Sequence, residues 1–317
     1  MNKNNNHYNF YDTDKRYNQY SAYLKSIFHT KVYKITLDAG FSCPNRDGTL
    51  SSQGCIFCDE SGSFSQAQSK FLSVNAQLCE GIEKLKNSKF KAKKFVSYFQ
   101  AYTNTYKPVE VLKKIYDEGV NHTDVVGLSI GTRPDCIDEN KLDLIASYVP
   151  NYLTWIEYGL QTIHNRTLKL INRGHDFECF LNAYEKTKER NIKTCVHVIL
   201  GLPGETRTDM LQTAKTLADL KIDGIKVHLL CAMKGTKLAK MYENGEFIPL
   251  EEDEYVNLVC DFLEILPPTI VIQRLAGNGL VGQTIAPKWL QKKLEILTRI
   301  DNEFEKRKTW QGYKYKI

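Results

Sequence analysis

Three cysteines in one short stretch carry the most specific chemical signal in this chain. Cys43, Cys55 and Cys58 follow an apolar segment with the spacing C-x11-C-x2-C. Three thiolates can hold three corners of a cubane iron-sulfur cluster and leave the fourth iron open, whereas a closed structural zinc site needs four protein ligands. The missing fourth cysteine therefore favours an iron-sulfur site.

The cysteines allow two other interpretations. Nine cysteines in 317 residues are an odd and sparse set, which does not suit a disulfide framework. A zinc site completed by a distant histidine or cysteine stays open on spacing alone, because Cys55-x2-Cys58 is a common half-site. The other six cysteines lie singly in apolar or amphipathic surroundings, and most are expected to be small core residues: Cys79, Cys136, Cys179, Cys195, Cys231 and Cys260.

Composition and charge indicate a cytoplasmic protein that could bind a polyanion. The chain is 42% hydrophobic and 25% charged, and its polar start lacks the apolar core of a signal peptide. Of the net charge of +6, residues 288–317 hold nine basic and four acidic side chains, and residues 84–94 hold six lysines. Basic stretches with nearby aromatic residues suit RNA, although a solvated helix face is the alternative. The aromatic residues of the tail are Trp289, Trp310, Tyr313 and Tyr315.

The elements that must position the cysteines alternate between strand and helix. Strand-length apolar stretches occur at 31–37, 95–99, 125–130, 152–158, 194–200, 224–230 and 269–275. Amphipathic helical segments lie between them at 109–118, 139–148, 177–190, 205–220 and 254–266. This alternation predicts an α/β fold, a partial (β/α)6 TIM-like barrel, with helices outside a parallel sheet.

Three regions are predicted along the chain. Residues 1–30 form an N-terminal extension, 31–275 the barrel, and 276–317 a basic helical tail whose apolar face comprises Leu290, Leu294, Leu297 and Phe304. In barrels of βα units, ligands gather at the carboxyl ends of the strands. Polar or glycine-rich runs follow four predicted strands, at 99–105, 129–135, 157–162 and 201–206, so we expect a shared cofactor pocket there.

Several short sequence motifs together resemble those of the radical S-adenosylmethionine (SAM) family. They are the cysteine motif, Thr-Arg-Pro-Asp at 132–135, Gly-Leu-Gln at 159–161, Asn-Arg-Gly-His at 172–175 and Gly-Leu-Pro-Gly at 201–204. This combination is similar to the Elongator catalytic subunit and the oxygen-independent coproporphyrinogen oxidase. The eleven-residue gap and the runs at 38–48 and 98–105 resemble the bacterial YtqA/YhcC-like subfamily.

The resemblance implies a 4Fe-4S cluster on Cys43, Cys55 and Cys58, with SAM bound to the open iron and cleaved to a 5'-deoxyadenosyl radical. It implies further that Phe57 packs on the adenine and that Gln161 and Arg173 contact SAM. Gln100, Tyr102 and Thr132 complete the candidate cofactor-binding residues. This chain departs from relatives where Gln100-Ala101-Tyr102 replaces a Gly-Gly pair and where Gly131 replaces a glutamate, so the contacts there must be made differently.

Candidate catalytic residues lie on the fifth and sixth strands. His197, Lys226 and His228 alternate so that they could point into the barrel as substrate or acid/base residues. A hydrogen-bonded core role is the alternative for each histidine. Gln273 and Arg274 on the last strand are comparable, and strand alternation predicts that only one of them faces inward.

The subfamily resemblance implies a substrate. Related proteins modify the wobble uridine of tRNA, and the bacterial members are linked to converting its carboxymethylaminomethyl side chain towards aminomethyluridine. The expected partners are therefore tRNA, read at the anticodon, and a reducing donor such as flavodoxin or ferredoxin, with a possible downstream methyltransferase. The alternatives are a radical SAM enzyme acting on a small molecule or peptide, and a zinc-containing RNA-binding module without catalysis.

Overall fold

The computed structural model describes residues 13–59, 62, 72–277 and 282–316. A curled sheet of seven parallel strands runs through them in the order β1-β2-β3-β4-β5-β6-β8, and β7 pairs with β9 in a separate antiparallel ribbon. The strands are Val32–Leu37 (β1), Lys94–Phe99 (β2), Val125–Thr132 (β3), Leu153–Gln161 (β4), Lys193–Leu200 (β5), Gly224–Leu229 (β6), Ala232–Met233 (β7), Val271–Arg274 (β8) and Thr284–Ala286 (β9).

Ten helices connect the strands and cover the outer face of the sheet in this part of the chain. They are Tyr20–Phe28 (α1), Val74–Asn87 (α2), Val109–Val120 (α3), Glu139–Ala146 (α4), Asn165–Leu170 (α5), Phe177–Glu189 (α6), Arg207–Leu220 (α7), Lys237–Glu243 (α8), Glu252–Ile265 (α9) and Lys293–Arg307 (α10). The predicted partial barrel and its five predicted helices are confirmed. None of the helices described is both long and apolar enough to cross a bilayer.

Local sequence explains where the helices begin. At α7 the Thr206 hydroxyl accepts from Asp209 N while Asp209 Oδ2 accepts from Thr206 N, which is a capping box. At α6 the Asp176 carboxylate accepts from Cys179 N in the same manner. The outward side chains of the strands then pack under the helices in one continuous core, and each fully buried side chain of Leu or Phe size stabilises the fold by about 1.5–3 kcal/mol.

Helix α1 closes the amino end of the barrel. Tyr20 and Leu24 pack against Trp155 of β4, and the rings of Tyr20 and Trp155 meet edge to face with centroids 6.1 Å apart. The segment before α1 also adds to the far edge of the sheet, because Ile272 N donates to Asn18 O at 2.7 Å. The helix therefore bridges the first and last strands of the sheet. Residues 1–12 of the predicted N-terminal extension lie outside the described residues.

The apolar face predicted for the tail was partly wrong. Leu290 and Phe304 are buried, but Leu294 is 79% exposed, and α10 instead buries Ile296 and Ile300. The physical reason is that Leu290 belongs to a separate 3-10 turn, Lys288–Gln291, so the helical phase cannot be counted from it.

The fold shows where the two basic stretches lie, residues 84–94 and residues 288–317. Arg299 pairs with Glu252 at the start of α9 and Arg307 with Glu264 near its end, so α10 runs parallel to α9. Lys306, Arg307 and Lys308 therefore lie toward the amino end of the barrel, as does the run 84–94, which leads into the start of β2. Only the first part of the tail, which includes Leu290, reaches the opposite end.

Candidate functional site

A cavity of about 340 Å³ lies inside the barrel at the carboxyl ends of the strands. Its wall comes from the cysteine loop, from strands β1 to β6 and β8, and from residues after β8. Eleven of the twelve sequence-predicted site residues line this cavity: Cys43, Cys55, Phe57, Cys58, Gln100, Tyr102, Thr132, Gln161, Arg173, His197 and His228. Lys226 is the exception, because it lies below the cavity.

Backbone contacts hold the cysteine loop over the cavity. Ile56 N donates to Ile171 O at 3.1 Å, and Ile56 O accepts from Leu238 N at 2.8 Å, so the loop is tied to the end of α5 and the start of α8. A tight turn between the paired cysteines is closed by Cys58 N donating to Cys55 O at 3.0 Å. The three thiols are thereby fixed on one wall of the cavity.

Donors and cations face the sulfur of Cys55. Asn45 Nδ2 and Arg173 Nη1 each lie 3.5 Å from Cys55 Sγ. Arg133, paired with Asp135 at 2.7 Å, has one buried nitrogen, Nη1, without a partner in the described part of the chain. Positive side chains and N–H donors stabilise thiolates, which is the form that ligates metals.

The spacing of the cysteines distinguishes a cluster from a single ion. Among the described residues, only Glu157, Cys195 and His197 bring three potential ligand atoms within 4.8 Å of one another. The three loop cysteines are too far apart to form such a group, while one zinc ion would bring its sulfurs to within about 4 Å. A 4Fe-4S cluster takes one thiolate per iron and so needs the wider set. The separation of the three cysteine sulfurs therefore suits a 4Fe-4S cluster.

The other six cysteines are only partly core residues. Cys136, Cys195 and Cys260 are buried, Cys179 and Cys231 are half-buried, and Cys79 is exposed. None of the nine cysteines forms a disulfide. Burial raises the pKa of Cys136 to about 12 and that of Cys179 to about 11, so neither is a thiolate near neutral pH.

The guanidinium of Arg173 makes its contacts with other residues of the chain. Its Nε donates to Gly159 O at 3.0 Å, Nη2 contacts the same oxygen, and Nη1 faces Cys55 Sγ. This buried guanidinium therefore positions the cysteine loop, and its predicted contact with SAM stays a prediction. Gln161 faces the cavity from a left-handed backbone position with φ +81, where the β4–β5 register is irregular. Thr132 shares its hydroxyl with Thr105 at 2.6 Å.

Replacing Gly159 by Ala should loosen the cysteine loop. The added methyl would lie 2.7 Å from Arg173 Nη2 and 2.8 Å from Gln161 Nε2, so Arg173 must move away from Cys55. We expect the variant to retain less iron than wild type after anaerobic reconstitution and desalting. Gly277→Ala is the matched control, because a methyl there meets no atom of the described residues within 4 Å. Equal iron retention in both variants would contradict this role for Arg173.

A buried carboxylate at the floor of the cavity, that of Glu157, is surrounded by side chains from four other strands. Glu157 is 0% exposed, its Oε1 accepts from Lys34 Nζ at 2.9 Å, and its Oε2 pairs with His197 Nε2 at 2.9 Å. Lys226 Nζ also donates to Oε2, and it bonds Tyr98 Oη at 2.9 Å. We call these five residues the floor network: Lys34, Tyr98, Glu157, His197 and Lys226.

The charges of the floor network follow from burial and mutual attraction. Burial opposes ionisation of Glu157, but Lys226 and Lys34 outweigh it and hold the pKa of this carboxyl well below its usual range. Burial lowers the pKa of Lys226 to about 7, against the opposing effect of Glu157. Burial and the charge of Lys226 lower the pKa of His197 to about 4, so His197 is neutral at pH 7.

The three predicted catalytic residues differ in their burial and in their contacts. Lys226 is 3% exposed and fully engaged by Glu157 and Tyr98, which favours a charge-balancing role over catalysis. His197 joins the floor network and also faces the cavity. His228 lines the cavity beside it, with ring centroids 5.3 Å apart. Of the three, His228 is the one left free to meet a ligand.

Sequence reasoning missed Lys34, Tyr98 and Glu157 as members of the site. A signal was present, because each is a polar residue at an alternate position within an otherwise apolar strand. A charge in the middle of a strand that is buried on both faces requires a partner inside the protein.

The prediction that only one of Gln273 and Arg274 faces inward was wrong. Gln273 Oε1 accepts from Lys34 Nζ at 2.8 Å inside the barrel, while Arg274 lines the cavity. The β6–β8 register explains this, since Ile225 pairs with Ile272 and Lys226 with Arg274, which leaves Gln273 as an extra residue. Such a bulge breaks the strict alternation of side chains.

Comparison with known proteins adds the family context. The sequence matches the Radical SAM superfamily over residues 48–217 and the Radical_SAM C-terminal domain over residues 222–306. YtqA of Bacillus subtilis is 44% identical over 308 residues, which cover 97% of this chain and 95% of YtqA. A tRNA uridine(34) acetyltransferase of Methanocaldococcus infernus is 31% identical over 172 residues, 53% of this chain and 31% of that protein.

Solved structures include a matching fold. Elp3 of Methanocaldococcus infernus, with an N-terminal deletion, matches with a TM-score of 0.67 at 19% identity, covering 88% of this chain and 64% of that one. At this identity the likeness concerns the fold alone. It agrees with the curled parallel sheet and the helices outside it.

Proposed function

This chain belongs to the radical SAM superfamily, whose members use a 4Fe-4S cluster and SAM, and we propose that it modifies the wobble uridine of tRNA. Similarity to a tRNA uridine(34) acetyltransferase over 53% of the chain is the observation that carries this substrate. The proposed reaction shortens a carboxymethylaminomethyl side chain towards aminomethyluridine. The carboxymethyl carbon would be oxidised by two electrons, with SAM as the oxidant. Water would then split the bond between that carbon and the side-chain nitrogen, which releases the two-carbon unit as glyoxylate and leaves a primary amine on the base.

We assign the cofactor contacts to residues already on the cavity wall. Cys43, Cys55 and Cys58 would hold the cluster, and SAM would lie against Phe57 and the five other candidate residues, Gln100, Tyr102, Thr132, Gln161 and Arg173. When bound, the cluster and SAM supply a carbon-centred radical that abstracts hydrogen from the substrate. The protein supplies position and exclusion of water. Helix α1 and the floor network exclude water from below.

The partners follow from the proposed chemistry. An anticodon base is accessible without opening a duplex, which suits recognition by stacking and phosphate contacts. The cluster requires an external electron, for which flavodoxin or ferredoxin is the proposed donor. An aminomethyl product has a primary amine, so a methyltransferase is the proposed next enzyme.

Nucleoside mass spectrometry of bulk tRNA tests this function directly. A deletion strain would be complemented with the intact protein or with Cys55→Ala. We expect carboxymethylaminomethyl-type uridines to accumulate in the deletion strain and to be cleared only by the intact protein. An unchanged nucleoside profile would overturn the tRNA substrate and leave the radical SAM assignment in place.

We expect the RNA to contact lysines at the mouth of the cavity, which is its side at the carboxyl ends of the strands, rather than lysines at the end of the tail. Lys288 and Lys292 are exposed on either side of Leu290, which lines the cavity. Lys288→Gln/Lys292→Gln should weaken binding of an anticodon stem-loop, and each lost phosphate contact should flatten the salt dependence by about 0.7–0.9 log units per log unit of salt. Fluorescence anisotropy over a salt series measures both.

The matched control is Lys306→Gln/Lys308→Gln, which removes the same charge at the other end of α10. Arg307 is left intact because it bonds Glu303, Asp261 and the carbonyl of Asn257, so its loss would disturb the fold. If the control flattens the salt dependence as much as the mouth variant does, the RNA does not approach through the mouth.

A further inference from the structure

The guanidinium of Arg274 lines the cavity without a partner. Within the described residues it makes no hydrogen bond and no ion pair, and it is half-buried at the end of β8. A cation in such a position loses hydration without gaining a counter-ion, which costs stability unless a ligand supplies the negative charge. Every other arginine from Arg133 to Arg307 has an acidic or carbonyl partner: Arg133, Arg166, Arg173, Arg190, Arg207, Arg299 and Arg307.

The bulge in β8 is what aims Arg274 at the cavity. With Gln273 as the extra residue, both side chains turn inward, Gln273 to the floor network and Arg274 to the space above it. Regular alternation would have sent one of them outward to the helices. Bulges commonly re-aim side chains beside functional sites.

A second unpartnered polar group faces the same space. His228 lines the cavity, and its Nε2 is buried without a hydrogen-bond partner in the described part of the chain. Burial and the positive charge of Arg274 hold the pKa of His228 well below its usual range, so the ring is neutral at pH 7. A neutral imidazole can donate one hydrogen bond from Nε2.

The charges facing this part of the cavity do not balance. Burial and the charge of Arg274 lower the pKa of Lys293, so a second cation lies in the neighbourhood of Arg274, although Lys293 itself does not line the cavity. Below them, Glu157 is the one carboxylate of the floor network, and both its oxygens are taken by Lys34, Lys226 and His197. The Arg274 end of the cavity therefore presents excess positive charge to a ligand.

We propose that Arg274 and His228 form a carboxylate subsite that holds the carboxymethyl end of the substrate side chain. The planar fork of an arginine matches the two oxygens of a carboxylate, and the bond to His228 Nε2 fixes its orientation. The subsite lies on β6 and β8, whereas the cysteines and Arg173 belong to loops after β1 and α5. This inference rests on the proposed function, because it takes the tRNA side chain as the source of the carboxylate.

The test compares binding of three anticodon stem-loops to the reconstituted protein. They carry carboxymethylaminomethyluridine, aminomethyluridine or unmodified uridine at the wobble position. Wild type should bind the carboxylate-bearing RNA most tightly, and Arg274→Met should lose that preference by about 10- to 100-fold, as expected for hydrogen bonds to a charged group. Arg274→Lys, which keeps the charge without the fork, should fall between them. Affinity for SAM, measured by equilibrium dialysis, should not change.

Control variants and measurements distinguish the ways in which the carboxylate-subsite proposal could fail. Lys234→Met removes an exposed charge from the ribbon at the mouth and should keep the preference. The unfolding midpoint of Arg274→Met should be no lower than wild type, because the variant removes an unpaired charge. If Arg274→Met weakens all three RNAs equally, the residue binds phosphate; if it weakens SAM instead, the subsite belongs to the cofactor. Either result overturns the proposal, as does a preference that survives the substitution. Failure of the proposed function is distinguishable, because wild type would then bind none of the three RNAs.

Discussion

Glu157→Gln is expected to lower the free energy of unfolding by about 3–5 kcal/mol, because it removes the carboxylate that is the counter-ion of two lysines inside the barrel. Lys34 and Lys226 both bond the Glu157 carboxylate, whose side chain is 0% exposed. Urea denaturation followed by circular dichroism measures the loss. Glu185→Gln is the matched control, because Glu185 is exposed on α6 and its loss should change stability by less than about 0.5 kcal/mol.

Low pH should shrink the difference between wild type and Glu157→Gln. The pKa of Glu157 is lower in the folded chain than its ordinary value of 4.5. The stability that this shift contributes is therefore fully present above pH 4.5 and is lost as the pH falls toward the folded-state pKa. A difference that stays constant through acid titration would mean that Glu157 stabilises the barrel by shape and not by charge.

A double variant distinguishes the loss of the Glu157 charge from the loss of the Glu157 side-chain shape. Glu157→Gln/Lys226→Met removes one charge of each sign, and we expect it to recover part of the stability that Glu157→Gln loses. Ion pairs replaced together by neutral groups are tolerated better than pairs broken from one side. A double variant less stable than Glu157→Gln would contradict the charge-balancing role of Lys226.

Cys55→Ala is expected to abolish cluster binding and SAM cleavage while leaving the barrel folded. Cys55 is the sulfur faced by both Asn45 and Arg173, so its loss removes a ligand and leaves two donors unused. Anaerobically reconstituted wild type should contain about four irons per chain, with equal labile sulfide. The variant should contain almost none, and 5'-deoxyadenosine formation should fall below detection.

Cys79→Ala is the matched control for the iron measurement, because Cys79 is an exposed thiol on α2. It should keep the iron, the sulfide and the cleavage of SAM. Zinc in place of iron in the wild-type protein, with no SAM cleavage, would contradict the assignment of the loop to a 4Fe-4S cluster.

The strands and the cysteine loop could be predicted because their signals are local. Each predicted strand matches an observed one to within three residues at its ends, since runs of β-branched and aromatic residues between helical segments mark buried parallel strands. The loop is recognised from three residues at fixed spacing. Both signals are complete within a few neighbouring positions of the chain.

The floor network could not be predicted in the same way, because it joins residues far apart in sequence. Lys34 and Glu157 are separated by 123 positions, and Lys34 and Gln273 by 239. The β8 bulge depends on how β8 pairs with β6, which the sequence of β8 alone does not determine. Helix α1 was missed because it is only nine residues long and its N-cap residue, Gln19, makes no side-chain cap hydrogen bond.

The placement of α1 across the amino end has a kinetic consequence. Tyr20, Leu24 and Trp155 fill that end, and the cavity lies at the opposite end of the barrel, where its lining comes mainly from the carboxyl ends of the strands. A small molecule and a macromolecule that use the same entrance cannot arrive in either order, because the larger one covers the way in. On the proposed function, SAM would therefore enter before the RNA and spent cofactor would leave after it, so the shape of the cavity predicts an ordered turnover.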